Sequence, residues 1–336
     1  MARRERTTAL PRRREREHAA HGGRRFLGMD WDLRHTQLTI LGLAGALLVF
    51  VFGLAAWGWY SDRYVRPNET ILTVGGQEVS LRYYSDRLLP WFQQNASTSL
   101  SPSLLEQSLL VKLEDEELTL LIAEDRGITI TDEDVTNAIA ADLGVPAGGD
   151  GSAYDSLYRD RLKATGMSDG NYRRLSRAQV ANDRVMEQLT TALGETGEFV
   201  TLRTVVLDSE EKATAIRARI AAGEDMGTIA QTESLDLTSR QIDGLMVPDP
   251  PALLPDSIRT AIDGKGEGEI FDPVQVEDNW WVFKIEKREP ASPYSDTNKQ
   301  QLAGLEFDRI LREKRLATTI ERDLSADDIR WAEENS

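Results

Sequence analysis

Residues 36–60 read TQLTILGLAGALLVFVFGLAAWGWY, 25 residues without a single charge. No other feature limits the fold as strongly. A helix needs roughly 20 apolar residues to cross the hydrocarbon layer of a bilayer, so the run predicts one membrane-spanning helix. Trp57, Trp59 and Tyr60 close it, where aromatic rings favour the headgroup layer. Before Thr36, ten arginines oppose five acids, about +5; the whole chain carries −16, so the remainder carries −16 − 5 = −21. This split predicts a cytoplasmic N-terminus and an acidic bulk outside. The basic tail, 1–35, is expected to set topology and touch anionic lipid rather than bind nucleic acid. No A-x-A site follows the apolar run and the preceding segment is long, so an uncleaved anchor is expected, not a removed signal peptide.

Chemistry is limited just as sharply. The chain has no cysteine, and its three histidines are His18, His21 and His35. Beyond residue 35, disulfides, thiol catalysis, imidazole catalysis and His or Cys metal sites are excluded. No cofactor and no metal are expected. With 336 residues, 40% of them hydrophobic, the chain is long enough for about two domains with real cores.

After a polar connector, ILTVGGQEVS predicts a hairpin turning at Gly75-Gly76. Ser80 is placed to cap a helix over LRYYSDRLLPWFQQ. A second helix carries Leu105, Leu109, Leu113, Leu120 and Leu121 at helical spacing and stops at Gly127. Thr131 with Asp134 forms a capping-box start for a third. Two more amphipathic helices follow the turn-rich 145–153, the second capped by Ser168, and ETGEFV is read as the close of this helical region. From about Val200 the texture changes to strand, helix, short helix, a long irregular loop over 235–255, helix, loop and strand, and a last strand in EDNWWVFKI. Trp280 and Trp281 are adjacent in it, so they must face opposite sides of a sheet. Beyond Pro293 one long helix with a broken end is expected.

These pieces, in this order, resemble the SurA/PrsA family, extracytoplasmic chaperones in which a parvulin-type peptidyl-prolyl isomerase domain interrupts a helical domain. AIRARIAAGEDMGTIAQTESLD is similar to the family's helix–GEDF–helix–SxD stretch, with Met226 for Phe, and GEGEIFDPVQVEDNWWVFKIEKRE is similar to its PGEISDPVxTxxGWHIIKVEE. The resemblance implies an α+β fold: a single transmembrane helix (36–60), a mainly helical SurA-N-like chaperone domain (61–197), a parvulin-like domain (198–290) and a long C-terminal helix (291–336) packing back on the chaperone domain. It also implies a groove. Thr204 stands for the family's first-strand histidine and Trp281 for its last-strand histidine. Asp236 keeps the family's Cys or Asp place, and Val276 and Asp278 replace a threonine and a serine. Ile258 lies near the family's aromatic, and Met246 falls in the poorly matched QIDGLM. Catalysis is expected from Asp236 alone among these, with Thr204, Val276, Asp278 and Trp281 degenerate; Thr204, Asp236, Met246, Ile258 and Trp281 are the expected substrate-binding set.

Prolyl isomerisation needs no covalent step, only a pocket that twists an amide across a barrier of about 20 kcal/mol. An indole in place of an imidazole adds volume and offers a single donor. Isomerase activity is therefore expected to be weak or lost, with unfolded or extended segments of exported proteins and membrane lipid as partners. An accessory subunit using the fold as a docking surface, and an active isomerase, are the alternatives. Glu114-Asp115-Glu116-Glu117 is expected to be a solvated face or a partner contact. Tyr83, Tyr84, Leu88, Leu89, Trp91 and Phe92 are expected to pack near Phe307 and Ile310, a client groove being the alternative.

Overall fold

The computed structural model describes residues 33–149 and 151–336. The basic tail expected over 1–35, with His18 and His21, lies outside the described residues as far as position 32. Helix α1, Leu33–Tyr60, runs on through a π turn at Ser61–Val65. Among the described residues it is the one helix long and apolar enough to cross a membrane. Its side chains from Leu38 to Tyr60 are exposed. The chain divides into two compact units, Met1–Pro67 and Asn68–Ser336.

The second unit opens with strands β1 (Thr70–Val74) and β2 (Gln77–Ser80), joined by Gly75 and Gly76 at φ of +57° and +87°. Positive φ at both turn residues is what a two-residue hairpin asks for. Ser80 then accepts the Tyr83 N–H and starts α2, Leu81–Gln94. Helix α3 (Pro102–Asp125) begins with proline at its first position, where the missing N–H costs nothing. Helix α4 (Asp132–Asp142) carries the expected capping box: Thr131 accepts from Asp134 N at 3.1 Å while the Asp134 carboxylate accepts from Thr131 N at 2.8 Å. Helices α5 (Ala153–Thr165) and α6 (Asp169–Ala192) follow, capped by Ser152 and Ser168.

Strand β3 (Thr196–Leu207) starts earlier than expected, so ETGEFV is mostly strand rather than the close of the helical region. Its partner explains why: β3 pairs antiparallel with a long later strand all the way to Thr196↔Pro293. Helices α7 (Glu210–Ala221), α8 (Met226–Glu233), α9 (Leu237–Arg240) and α10 (Asp256–Ile262) precede strands β4 (Val274–Val276) and β5 (Asn279–Pro293). The sheet order is β3-β5-β4. Val205, Leu207 and Val282 pack with α7 and α8 on one face; Leu202, Phe283 and Ile285 pack with Ile258 and Ile262 of α10 on the other.

The end of the chain is not one broken helix. Helix α11 (Asp296–Ala317) is followed by strand β6 (Ile320–Arg322) and helix α12 (Ala326–Asn335). β6 pairs with β1, completing a three-stranded sheet β2-β1-β6. The aromatic cluster of α2 is core, with a different partner from the one expected. Tyr83, Tyr84 and Leu88 bury with Trp331 and Ala332 of α12, and Ser85 Oγ donates to the Ala332 carbonyl at 3.2 Å. Phe307 and Ile310 of α11 pack instead on Ile122, Ala181 and Val185 of α3 and α6.

Glu114-Asp115-Glu116-Glu117 is also corrected: three of the four are buried. Glu116 takes a two-pronged bond from Arg87 of α2 at 2.8 and 2.9 Å. Glu117 accepts from Arg174 of α6 at 2.7 Å, and Glu114 from Arg315 and Arg322 at 2.8 and 2.6 Å. Carboxylates on successive faces of one helix thus draw arginines from α2, α6, α11 and β6. Charge pairing is the condition for burying them there.

Candidate functional site

Along β3 and β5, side chains alternate between the two faces, and the register from Leu202↔Ile285 to Leu207↔Trp280 is unbroken. Thr204 therefore shares the α10 face with Phe283 and Trp281, while Trp280 lies on the α7–α8 face. The two tryptophans do face opposite sides: Trp280 packs against the Val205 cluster, and Trp281 against the cluster of Leu202, Ile258 and Phe283.

Of the expected groove residues, Met246, Ile258, Val276 and Trp281 belong to this one cluster. Trp281 stands beside Val206 on one side and Val274 of β4 on the other. Phe271 stacks on Phe283 at 4.8 Å, in the same cluster as Ile258 and Ile262 of α10. Thr204 is 0% exposed and Ile258 1%. The Thr204 hydroxyl is buried without a hydrogen-bond partner. Thr204 and Ile258 are thus core positions, and Trp281 is half-buried against the same cluster as Ile258.

Asp236 caps α9, its carboxylate accepting the N–H groups of Thr238 and Ser239 at 3.1 Å each. Burial pushes this carboxyl up, but the bonds from the backbone N–H groups of Thr238 and Ser239 outweigh it and hold it below its ordinary value. Asp278 is exposed on the turn between β4 and β5, beside Glu277 at φ +53°. Neither Thr204, Met246, Ile258, Val276 nor Trp281 titrates as an acid or base near neutral pH, so the cluster can shape and exclude water but has no proton to move. Among the described residues no group of three His, Asp or Glu is placed to hold a metal.

The segment expected as irregular loop has a definite course along the free edge of β3. Leu235 N donates to the Val206 carbonyl at 2.8 Å, Thr204 N to Gly244 O at 2.7 Å, and Met246 N to Leu202 O at 2.8 Å. Gly244 is the residue that makes this possible. At φ +76° it comes so close that a Cβ would lie 2.5 Å from the Thr204 carbonyl and 2.7 Å from Ala230 Cβ. Asp243-Gly244 was the available sequence signal, a dipeptide that marks turns. The poor match of QIDGLM to the family pattern concealed it.

Comparison with known proteins agrees with both halves. Residues 29–186 match the family model of the SurA-like N-terminal domain, and residues 167–297 that of the PpiC-type peptidyl-prolyl isomerase domain. The chain thus joins a SurA-like N-terminal domain to a PpiC-type domain and is homologous to PrsA foldase and to SurA-like chaperones. Among individual relatives, it is 25% identical over 181 residues to the foldase protein PrsA of Clostridium tetani (strain Massachusetts / E88), covering 47% of this chain and 53% of that one. The chain therefore matches about half the length of that relative. Solved structures similar to it include PrsA of Bacillus anthracis, at TM-score 0.42 and 15% identity over 61% of this chain and 95% of that one. PrsA of Bacillus cereus gives TM-score 0.42 and 13% identity over 80% and 99%. A SurA-like chaperone of Campylobacter jejuni gives 0.28 and 16% over 74% and 96%.

Proposed function

We propose that the protein is a membrane-anchored, extracytoplasmic foldase that holds extended segments of exported polypeptides, and that its parvulin-type domain has little or no prolyl isomerase activity. One observation carries the second half: Thr204 and Ile258, where the resemblance expects a substrate groove, are sealed from solvent. Trp281, in a histidine's place, packs on the same cluster. A proline slot needs an open, shaped surface, and none of these side chains supplies the polar network of the family's groove. The anchor rests on α1, whose apolar side chains from Leu38 to Tyr60 are exposed and need lipid or another apolar surface to cover them. The homology to PrsA foldase, with the charge asymmetry across α1, supports exported polypeptides as its clients.

A proline-peptide isomerisation assay on the full chain in detergent tests the enzymatic half. The expected rate is that of the uncatalysed peptide, with Trp281→His raising it. A rate equal to that of an active parvulin overturns the proposal. Leu235, Leu237, Ile242 and Val247, all at least half exposed on the segment that edges β3, favour a second reading, docking to a partner subunit. Purification with one stoichiometric partner, and no suppression of client aggregation, is the outcome that selects it.

A further inference from the structure

Helices α3, α6 and α11 leave a groove of about 320 Å³ where they meet. Ala178 is buried in its floor, and Phe307 and Leu311 of α11 give it an apolar side. Its polar lining is unbalanced: Lys112 stands against the carboxylates of Asp115, Glu116, Asp183 and Asp308. Two of these are answered from within the fold, Asp115 by Arg315 and Glu116 by Arg87 and Lys112. Burial raises the Asp115 carboxyl above its ordinary value even with Arg315 beside it. Asp183 of α6 and Asp308 of α11 are different. Both are exposed, and among the described residues neither is paired with a cation.

We propose that this groove is a subsite for an extended polypeptide segment carrying a lysine or arginine next to an apolar residue. Charge complementarity selects the occupant. The long aliphatic stem of such a side chain lies along Phe307 and Leu311, as basic stems do on apolar surface. Its cationic head reaches Asp183 and Asp308, where charge-assisted bonds are the strong ones. Residues 36–336 carry −21, so the surrounding field draws basic segments towards the groove and repels acidic ones. The inference rests on the foldase reading only for the source of the segment; the geometry and charge of the groove stand without it.

The test uses the full chain in detergent and three labelled peptides of equal length, in which leucine alternates with arginine, serine or glutamate. Fluorescence anisotropy is expected to rank them arginine, serine, glutamate, with about tenfold between the first two, and to show the arginine peptide weakening as salt rises. Asp183→Asn combined with Asp308→Asn is expected to remove about that tenfold for the arginine peptide and to leave the serine peptide unchanged. Both sites are exposed, so an unaltered melting temperature confirms that the variant folds. Equal binding of the arginine and serine peptides overturns the proposal, and so does a variant that still binds the arginine peptide at full strength. Aggregation suppression is read in parallel. Loss in the variant for basic clients alone supports the subsite, and undiminished suppression of basic clients overturns it. Failure of the unmodified chain on every client counts against the foldase reading instead, and the peptide ranking still decides the groove.

Discussion

Thr204 is the residue on which the active-site reading turns. It occupies a place where the resemblance expects a histidine, its backbone N–H is used to hold Gly244, and its hydroxyl is buried without a partner. A buried hydroxyl that makes no bond costs about 1–3 kcal/mol relative to one left in water. Replacing Oγ with a methyl group removes that cost with little change of shape. Thr204→Val is therefore expected to stabilise the protein by about 1 kcal/mol in a denaturant titration. Destabilisation would mean that the hydroxyl binds an ordered water, and with it that the pocket still admits solvent. Trp281 and Trp280 teach a related lesson. Adjacency in a strand is enough to put them on opposite faces, but only the packing of α10 against Phe283 gives Trp281 a core cluster to lie against.

At the scale of elements, helix α3 holds the helical unit together through its acids. Glu114 is 1% exposed as a side chain, whereas its partners Arg315 and Arg322 are 33% and 50% exposed. The two sides of this pairing are not equivalent. Removing both arginines leaves a carboxylate buried without compensation, while removing Glu114 frees two arginines that water can still reach. Arg315→Ala with Arg322→Ala is expected to cost about 3–5 kcal/mol, and Glu114→Ala clearly less, in matched unfolding experiments. Equal costs would show that the carboxylate is better solvated than its burial implies. Helix α4 gives a pH prediction. Bonds from the Thr131 backbone and hydroxyl and from Arg184 hold the Asp134 carboxyl down at about 2. A carboxyl depressed in the folded state supports folding above its ordinary value of 3.8 and loses that support as pH falls towards 2. Amide exchange in the first turn of α4 is expected to accelerate over that window, and Asp134→Asn to abolish the pH dependence. A first turn that stays protected down to pH 2 would contradict it.

At the scale of the whole molecule, the absence of cysteine makes topology directly measurable. If α1 crosses the membrane with the arginine-rich end inside, Ser103→Cys is labelled by a membrane-impermeant thiol reagent on intact cells. Thr8→Cys is then labelled only after permeabilisation. The reverse pattern would invert the orientation, and equal labelling of both would remove the anchor. The acidic remainder and the groove between α3, α6 and α11 share the outer compartment in this arrangement, which is where basic extended segments would be met.

What the sequence determined by itself is whatever depends on neighbours a few residues apart. The caps at Ser80, Thr131 and Ser168, the Gly75-Gly76 turn and the opposite faces of Trp280 and Trp281 were legible because hydrogen bonds and strand alternation act over one to four positions. The apolar run was legible because length and lack of charge are properties of composition. The tertiary structure alone decided the rest. Glu116 and Arg87 are 29 residues apart, Glu117 and Arg174 57, Glu114 and Arg315 201. No local rule distinguishes such acids from a solvated face. The same holds for β6, which becomes a strand because β1 offers it an edge, and for the sealing of Thr204. That sealing depends on α10, β5 and the 244–249 segment arriving together, so it exists only once the chain has folded.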